Sequence, residues 1–233
     1  MTWVAGADGF KRGWRVVLCE IETDTWTMRD VAAFNELLML REAPAIICVD
    51  MPIGLHEHTP PGGRECERLA RGLLGPRRSS VFSAVGRQAL ACPDRADAHA
   101  TSVAGGGIGV GAQAWGLAVK LREADQAMSP ELQTVVFEVH PELCFWAMNG
   151  GQPMQHGKKT GAGENDRIAA LAQRSVPKTF IDDELGKLRS DRDDFLDACA
   201  AAWTARRVFS RAAERLPRKV ERDSRGLDMA MWF

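Results

Sequence analysis

A chain of 233 residues is long enough for one large domain, or a domain with a sizeable insertion, and its core needs no disulfide or metal staple. Its 45% apolar and 26% charged residues exclude global disorder, and a formal net charge of −1 excludes binding of nucleic acid through overall charge. Local basic patches stay open, but no apolar run approaches the roughly 20 residues of a membrane span.

Met1-Thr2-Trp3-Val4-Ala5-Gly6 runs straight into strand-forming residues without the basic and apolar regions of a signal peptide, so a cytoplasmic protein is expected, with no membrane partner. The six cysteines (Cys19, Cys48, Cys66, Cys92, Cys144, Cys199) form no C-x-x-C pair, which argues for reduced apolar thiols and against a zinc cluster. Thr2–Ala7, Gly13–Ile21 and Thr23–Arg29 read as three successive strands. Val31–Glu42 has helical spacing, and Pro44 closes it. Ala45–Val49 is short and uniformly apolar, the pattern of a buried parallel strand, and it ends at Asp50. Residues 51–130 read as an insertion forming a cleft wall. It holds a helix over Arg64–Leu74, a loop over Gly75–Ser80, a glycine run at Gly105–Gly111 and a helix over Ala112–Ala124. Gln133–Val139 is a fifth strand and Pro141–Met148 a short helix. A polar loop over Gly150–Gly163 precedes helices over Asn165–Arg174 and Arg192–Arg215. Three strands, helix, strand, insertion, strand and late helix make one α/β domain over residues 1–233. Its mixed sheet is flanked by helices in the order of ribonuclease H-like folds, with the insertion between the fourth and fifth strands.

The acids are placed to match. Asp8 and Asp50 each end an apolar strand, where an unpaired carboxylate is costly to bury, and such strand ends are where open α/β sheets gather functional groups. Glu138 follows Val136-Phe137 in the fifth strand. Asp194 and Asp197, three apart, share one face of the last helix. Clustered carboxylates repel unless protonated or bridged by cations, and hard oxygen donors suit Mg2+ or Mn2+. Asp8, Asp50, Asp194 and Asp197 are therefore candidate metal ligands and, with Glu138, candidate catalytic residues. The local alternative makes each a turn or capping residue.

Arg77-Arg78-Ser79-Ser80 offers two guanidiniums and two hydroxyls for phosphate oxygens, and Lys158-Lys159 is a second candidate grip. The competing reading is solvated loop charge. His140, two residues beyond Glu138, is a candidate substrate or metal neighbour.

The motifs carry a resemblance. Gly6-Ala7-Asp8-Gly9, Asp50-Met51-Pro52-Ile53-Gly54-Leu55, Gly75-Pro76-Arg77-Arg78-Ser79-Ser80-Val81-Phe82, Glu138-Val139-His140-Pro141-Glu142-Leu143, Lys158-Lys159-Thr160 and Asp193-Asp194-Phe195-Leu196-Asp197-Ala198 together resemble the domain of unknown function 429 family. The resemblance implies a ribonuclease H-like fold and a predicted nuclease. Its strand-one Asp, strand-four acid and helical Asp-x-x-Asp look like the acids of ribonuclease H-like resolvases. Three functions are expected to compete: a metal-dependent nuclease acting on nucleic acid, a phosphotransferase or hydrolase of a small phosphorylated substrate, and a non-catalytic binding module.

Overall fold

The computed structural model describes residues 1–233. Its elements begin with β1 (Trp3–Phe10), β2 (Gly13–Glu20), β3 (Thr25–Val31), α1 (Phe34–Leu38) and β4 (Ile46–Asp50). Then come α2 (Glu65–Leu74), α3 (Arg87–Leu90), α4 (Arg95–Ala104), α5 (Ala112–Gly116) and α6 (Ala118–Ala127). The remainder holds β5 (Val136–Glu138), α7 (Pro141–Met148), α8 (Gly161–Gln173), α9 (Lys178–Lys187), α10 (Arg192–Phe209), β6 (Arg215–Arg222) and β7 (Asp228–Trp232). No helix is long and apolar enough to cross a membrane. The chain gathers into two compact units. One holds Met1–Met51, Val135–Glu214 and Trp232–Phe233, the other Pro52–Thr134 and Arg215–Met231.

The first unit is built on a five-stranded mixed sheet in the order β3-β2-β1-β4-β5. β1 pairs antiparallel with β2, which pairs antiparallel with β3, while β1–β4 and β4–β5 are parallel. Apolar content follows position: all eight residues of β2 are buried, whereas edge strand β3 is mostly half-exposed and carries Thr25, Thr27, Arg29 and Asp30. On one face Val4, Val17, Cys19 and Cys48 pack against α10, whose Phe195, Ala198, Cys199, Ala201 and Ala202 are fully buried. Each large apolar side chain buried there stabilises the fold by about 1.5–3 kcal/mol. On the other face Trp14 meets Phe34 of α1 edge-to-face at 5.3 Å.

Gly6 sets how closely α10 approaches the sheet. A Cβ there would lie 2.0 Å from the Ala202 amide nitrogen and 2.4 Å from the Ala198 carbonyl oxygen. The strand backbone therefore rests directly on the helix backbone, which the alanines of α10 allow. The start of α10 is tied down separately. Arg15 of β2, 1% exposed, forks onto Asp30 at 3.0 and 3.1 Å and donates to the Asp191 carbonyl at 2.7 Å.

The second unit contains a buried ion pair, Arg64–Glu67 at 2.7 Å, whose acid also accepts from the Ala84 amide. Its β6–β7 hairpin turns at Asp223, which accepts from the amides of Leu55, Arg225 and Leu227 and from Arg87 at 2.6 Å.

Several boundaries differ from the sequence reading. The last helix stops at Phe209, not Arg215, because Arg211 turns to φ 60° and the chain then enters β6, whose Pro217 has no helical N–H. The helix expected from Ala112 is broken at Leu117 into α5 and α6. The helix expected from Asn165 begins four residues earlier, at Gly161, where the Thr160 hydroxyl accepts from the Gly163 amide at 3.0 Å. Gly163 earns its place by contact: a Cβ there would sit 2.0 Å from the Gly157 carbonyl.

Candidate functional site

β1 and β4 run parallel with Asp8 opposite Asp50 in the pairing register. Residues opposite each other in adjacent strands project to the same face, so both carboxylates emerge on the α10 side, one step beyond Gly6 and Cys48. α10 crosses that face, held close by Gly6, and brings Asp197 and Asp194 to the same place. Burial of Asp8 and Asp197 is nearly complete, at 6% and 2% exposed, and Asp50 and Asp194 are partly covered.

The electrostatics record this convergence. Burial pushes the Asp8 carboxyl well above its ordinary range, and the charges of Asp50, Asp197 and Asp194 push it further. Asp50 rises to about 6 through burial and Asp197, opposed by His140 and Lys158. Asp194 also rises to about 6, by burial, Asp193 and Asp197. Asp197 is raised by burial and held back mainly by Lys158.

Lys158 comes from the polar loop before α8. Its Nζ lies 2.6 Å from Asp197 Oδ2 and 3.7 Å from Asp193 Oδ2, and Asp197, Asp8 and Asp50 together hold it charged although it is partly buried. A second cation stands behind. Arg167 of α8, fully buried, pairs with Glu142 of α7, donates to the His156 carbonyl at 3.2 Å, and bears on Asp197. Arg167 thus fastens the loop that carries Lys158.

The sheet does not bring every expected residue here. Glu138 aligns with Val49, one residue out of step with Asp50, so the pleat turns its buried side chain to the opposite face. β5 ends at Glu138 and His140 caps α7. This takes His140 off the strand and within electrostatic reach of Asp50. Lys158 joins the cluster as a partner of Asp197, while Lys159 is exposed and 3.9 Å from Asp193. Arg77, Arg78, Ser79 and Ser80 belong to the second unit, in a 3-10 turn over Gly75–Ser80, where Ser80 Oγ donates to the Arg77 carbonyl at 2.8 Å. Sequence reasoning missed Arg15, Arg167 and the pairing of Lys158 with Asp197. The first two have no local signal, because a buried arginine is recognised only by the distant groups it joins.

The donor chemistry suits a hard cation: four carboxylates face one ammonium. In their present arrangement no three His, Cys, Asp or Glu side chains are set to ligate a single metal ion, and the ammonium of Lys158 is the cation in the cluster. Binding a metal would require the carboxylates to reorient.

No curated protein and no solved structure matches this chain. The family described as a protein of unknown function (DUF429) matches residues 6–222, from the glycine beneath α10 through the end of β6, and the chain belongs to that family.

Proposed function

We propose that the first unit is a ribonuclease H-like domain that hydrolyses phosphoester bonds with a divalent cation, Mg2+ or Mn2+. The observation that carries this reading is the register pairing of Asp8 with Asp50 beside Asp194 and Asp197, an excess of buried carboxylate over the single nearby ammonium. The strand order β3-β2-β1-β4-β5, with its first three strands antiparallel and the next two added in parallel, supports the fold. Six free cysteines suit a reducing, cytoplasmic setting.

An ion held by Asp8, Asp50 and Asp194 or Asp197 would supply Lewis-acid stabilisation of charge developing on phosphoryl oxygens. The remaining tasks fall to the chain. β1 and β4 fix the spacing of Asp8 and Asp50. The packed alanines of α10 exclude water behind them. His140, facing Asp50, can hold or pass a proton at its ring nitrogen. A small phosphorylated substrate is favoured over a nucleic-acid duplex, because the chain is near neutral and Lys158 is already engaged with Asp197.

The test is hydrolysis of a panel of nucleotides, sugar phosphates, single strands and duplexes with Mn2+ or Mg2+. Turnover that Asp8→Asn lowers at least about 100-fold supports the reading. Absence of turnover on every substrate, together with a melting temperature indifferent to millimolar Mn2+, would leave a binding module of the same fold.

A further inference from the structure

We propose that the second unit binds a small organic monocarboxylate with an apolar body, in a cavity where Arg122 of α6 meets the end of α3. The cavity lies wholly within that unit, and the proposal stands or falls independently of phosphoester hydrolysis.

Three observations carry it. The first is the cavity itself, of about 400 Å3, at the low end of the roughly 300–1,000 Å3 of small-molecule sites. Leu90, Ala91 and Pro93, from the last turn of α3 and the bend after it, give it an apolar wall.

The second is how Arg122 is held. Its Nε donates to the Leu90 carbonyl at 2.6 Å and its Nη2 to the Cys92 carbonyl at 2.9 Å, and the guanidinium lies 5.1 Å from the centroid of the Trp115 ring. Capping of carbonyls at the end of α3 accounts for the two bonds by itself. It does not account for the charge. These holding groups are neutral, two carbonyls and an indole, so they fix the guanidinium without cancelling its charge. Both bonds use the side edge of the group, formed by Nε and Nη2. The end edge, one N–H each from Nη1 and Nη2, is the parallel fork that matches a carboxylate.

The third is the charge balance of the lining. Its other ionic side chains are Arg87 and Asp125, which pair with each other at 2.7 Å. Arg122 is the cation left over, and one positive charge calls for one negative. A phosphate monoester, largely dianionic at neutral pH, would set its second charge near the Asp125 carboxylate; a carboxylate brings only one.

The experiment uses the full chain and three probe acids, phenylacetate, benzoate and hexanoate. Their uncharged and dianionic counterparts are 2-phenylethanol and phenyl phosphate. Binding is read by saturation-transfer NMR of each probe and by the rate at which iodoacetamide alkylates Cys92. That thiol lines the cavity and is half-buried, whereas the other cysteines are buried. A probe acid at about ten times its Kd should slow alkylation about tenfold, since only unoccupied protein reacts. Neither 2-phenylethanol nor phenyl phosphate should match it. Arg122→Met, which keeps the stem of the side chain, should abolish the protection, and so should Ala91→Trp, which fills the cavity from its exposed wall. Circular dichroism confirms that each variant is folded. Binding of none of the three acids would overturn the proposal. So would equal protection by 2-phenylethanol, stronger protection by phenyl phosphate, or protection that survives in a folded Arg122→Met or Ala91→Trp.

Discussion

Asp50 ends β4 with its carboxyl pushed from the ordinary 3.8 up to about 6, and Asp8 and Asp194 move in the same direction. A folded-state value above the unfolded one means that the native protein binds more protons between the two. The stability these acids contribute is then full below about pH 4 and lost as pH rises through about 6. In metal-free buffer the first unit should lose stability across that window, and Asp50→Asn should flatten the loss. Because the substitution removes one repelling charge, the variant should melt as high as wild type or higher at pH 7. It should also gain little from Mn2+, where wild type gains roughly 2.7 kcal/mol at a hundredfold excess over Kd. Thermal melts at pH 4, 5, 6 and 7, with and without Mn2+, test the argument. A wild type whose melting temperature climbs steadily from pH 4 to 7 would contradict it.

Among the elements, the contact of β1 with α10 decides where the acids meet. Gly6→Ala inserts a methyl group 2.0 Å from the Ala202 amide, and the obstacle is helix backbone, so no shortening of an α10 side chain relieves it. The substitution should cost about 3 kcal/mol, the upper range for overpacking, read from urea melts. It should also displace Asp197 from Asp8; a cost under about 0.5 kcal/mol would mean that the helix is free to lift. This joint also shows what was legible beforehand. Asp8 and Asp50 could be paired from sequence because each ended an apolar run, and runs of β-branched residues announce strands. Asp194 and Asp197 followed from helical spacing. Glu138 misled because strand parity is counted from the pairing register, which the chain does not spell out locally. The hairpin β6–β7 escaped notice because Arg-Leu-Pro-Arg-Lys-Val-Glu-Arg is charged along its length and held by the turn at Asp223. α9 was equally quiet, with Ile181 and Leu185 its only buried residues.

At the scale of the molecule the carboxylate cluster of the first unit and Asp223 of the second are shifted in opposite directions. Asp223, in the second, is held below its ordinary 3.8: burial would raise it, but Arg87 and the amides of Leu55, Leu227 and Arg225 outweigh that. A depressed value stabilises above the unfolded pKa and is lost as pH falls through the folded one. The second unit should therefore loosen below about pH 4, where the carboxylate cluster of the first is most at ease. Arg87→Ala should unfasten Asp125 and Asp223 together, costing about 3 kcal/mol, since it strands a buried acid. Hydrogen exchange at pH 3.5 and pH 7, resolved by segment, should find the second unit less protected at the lower pH and the first less protected at the higher. Uniform protection changes would disprove the opposition.

The threading of the chain has a consequence for synthesis. The polypeptide leaves the first unit after Met51, returns at Val135, leaves again after Glu214 and comes back for its last two residues. When residue 134 has been added, every helix of the second unit has been synthesised, but not the hairpin strand that α2 packs on. The central strands β1, β2 and β4 emerge early and wait for α10, some 140 residues behind, to cover Gly6. Neither unit can close as it is made. During translation both expose apolar surface until α10 and the β6–β7 hairpin have been made.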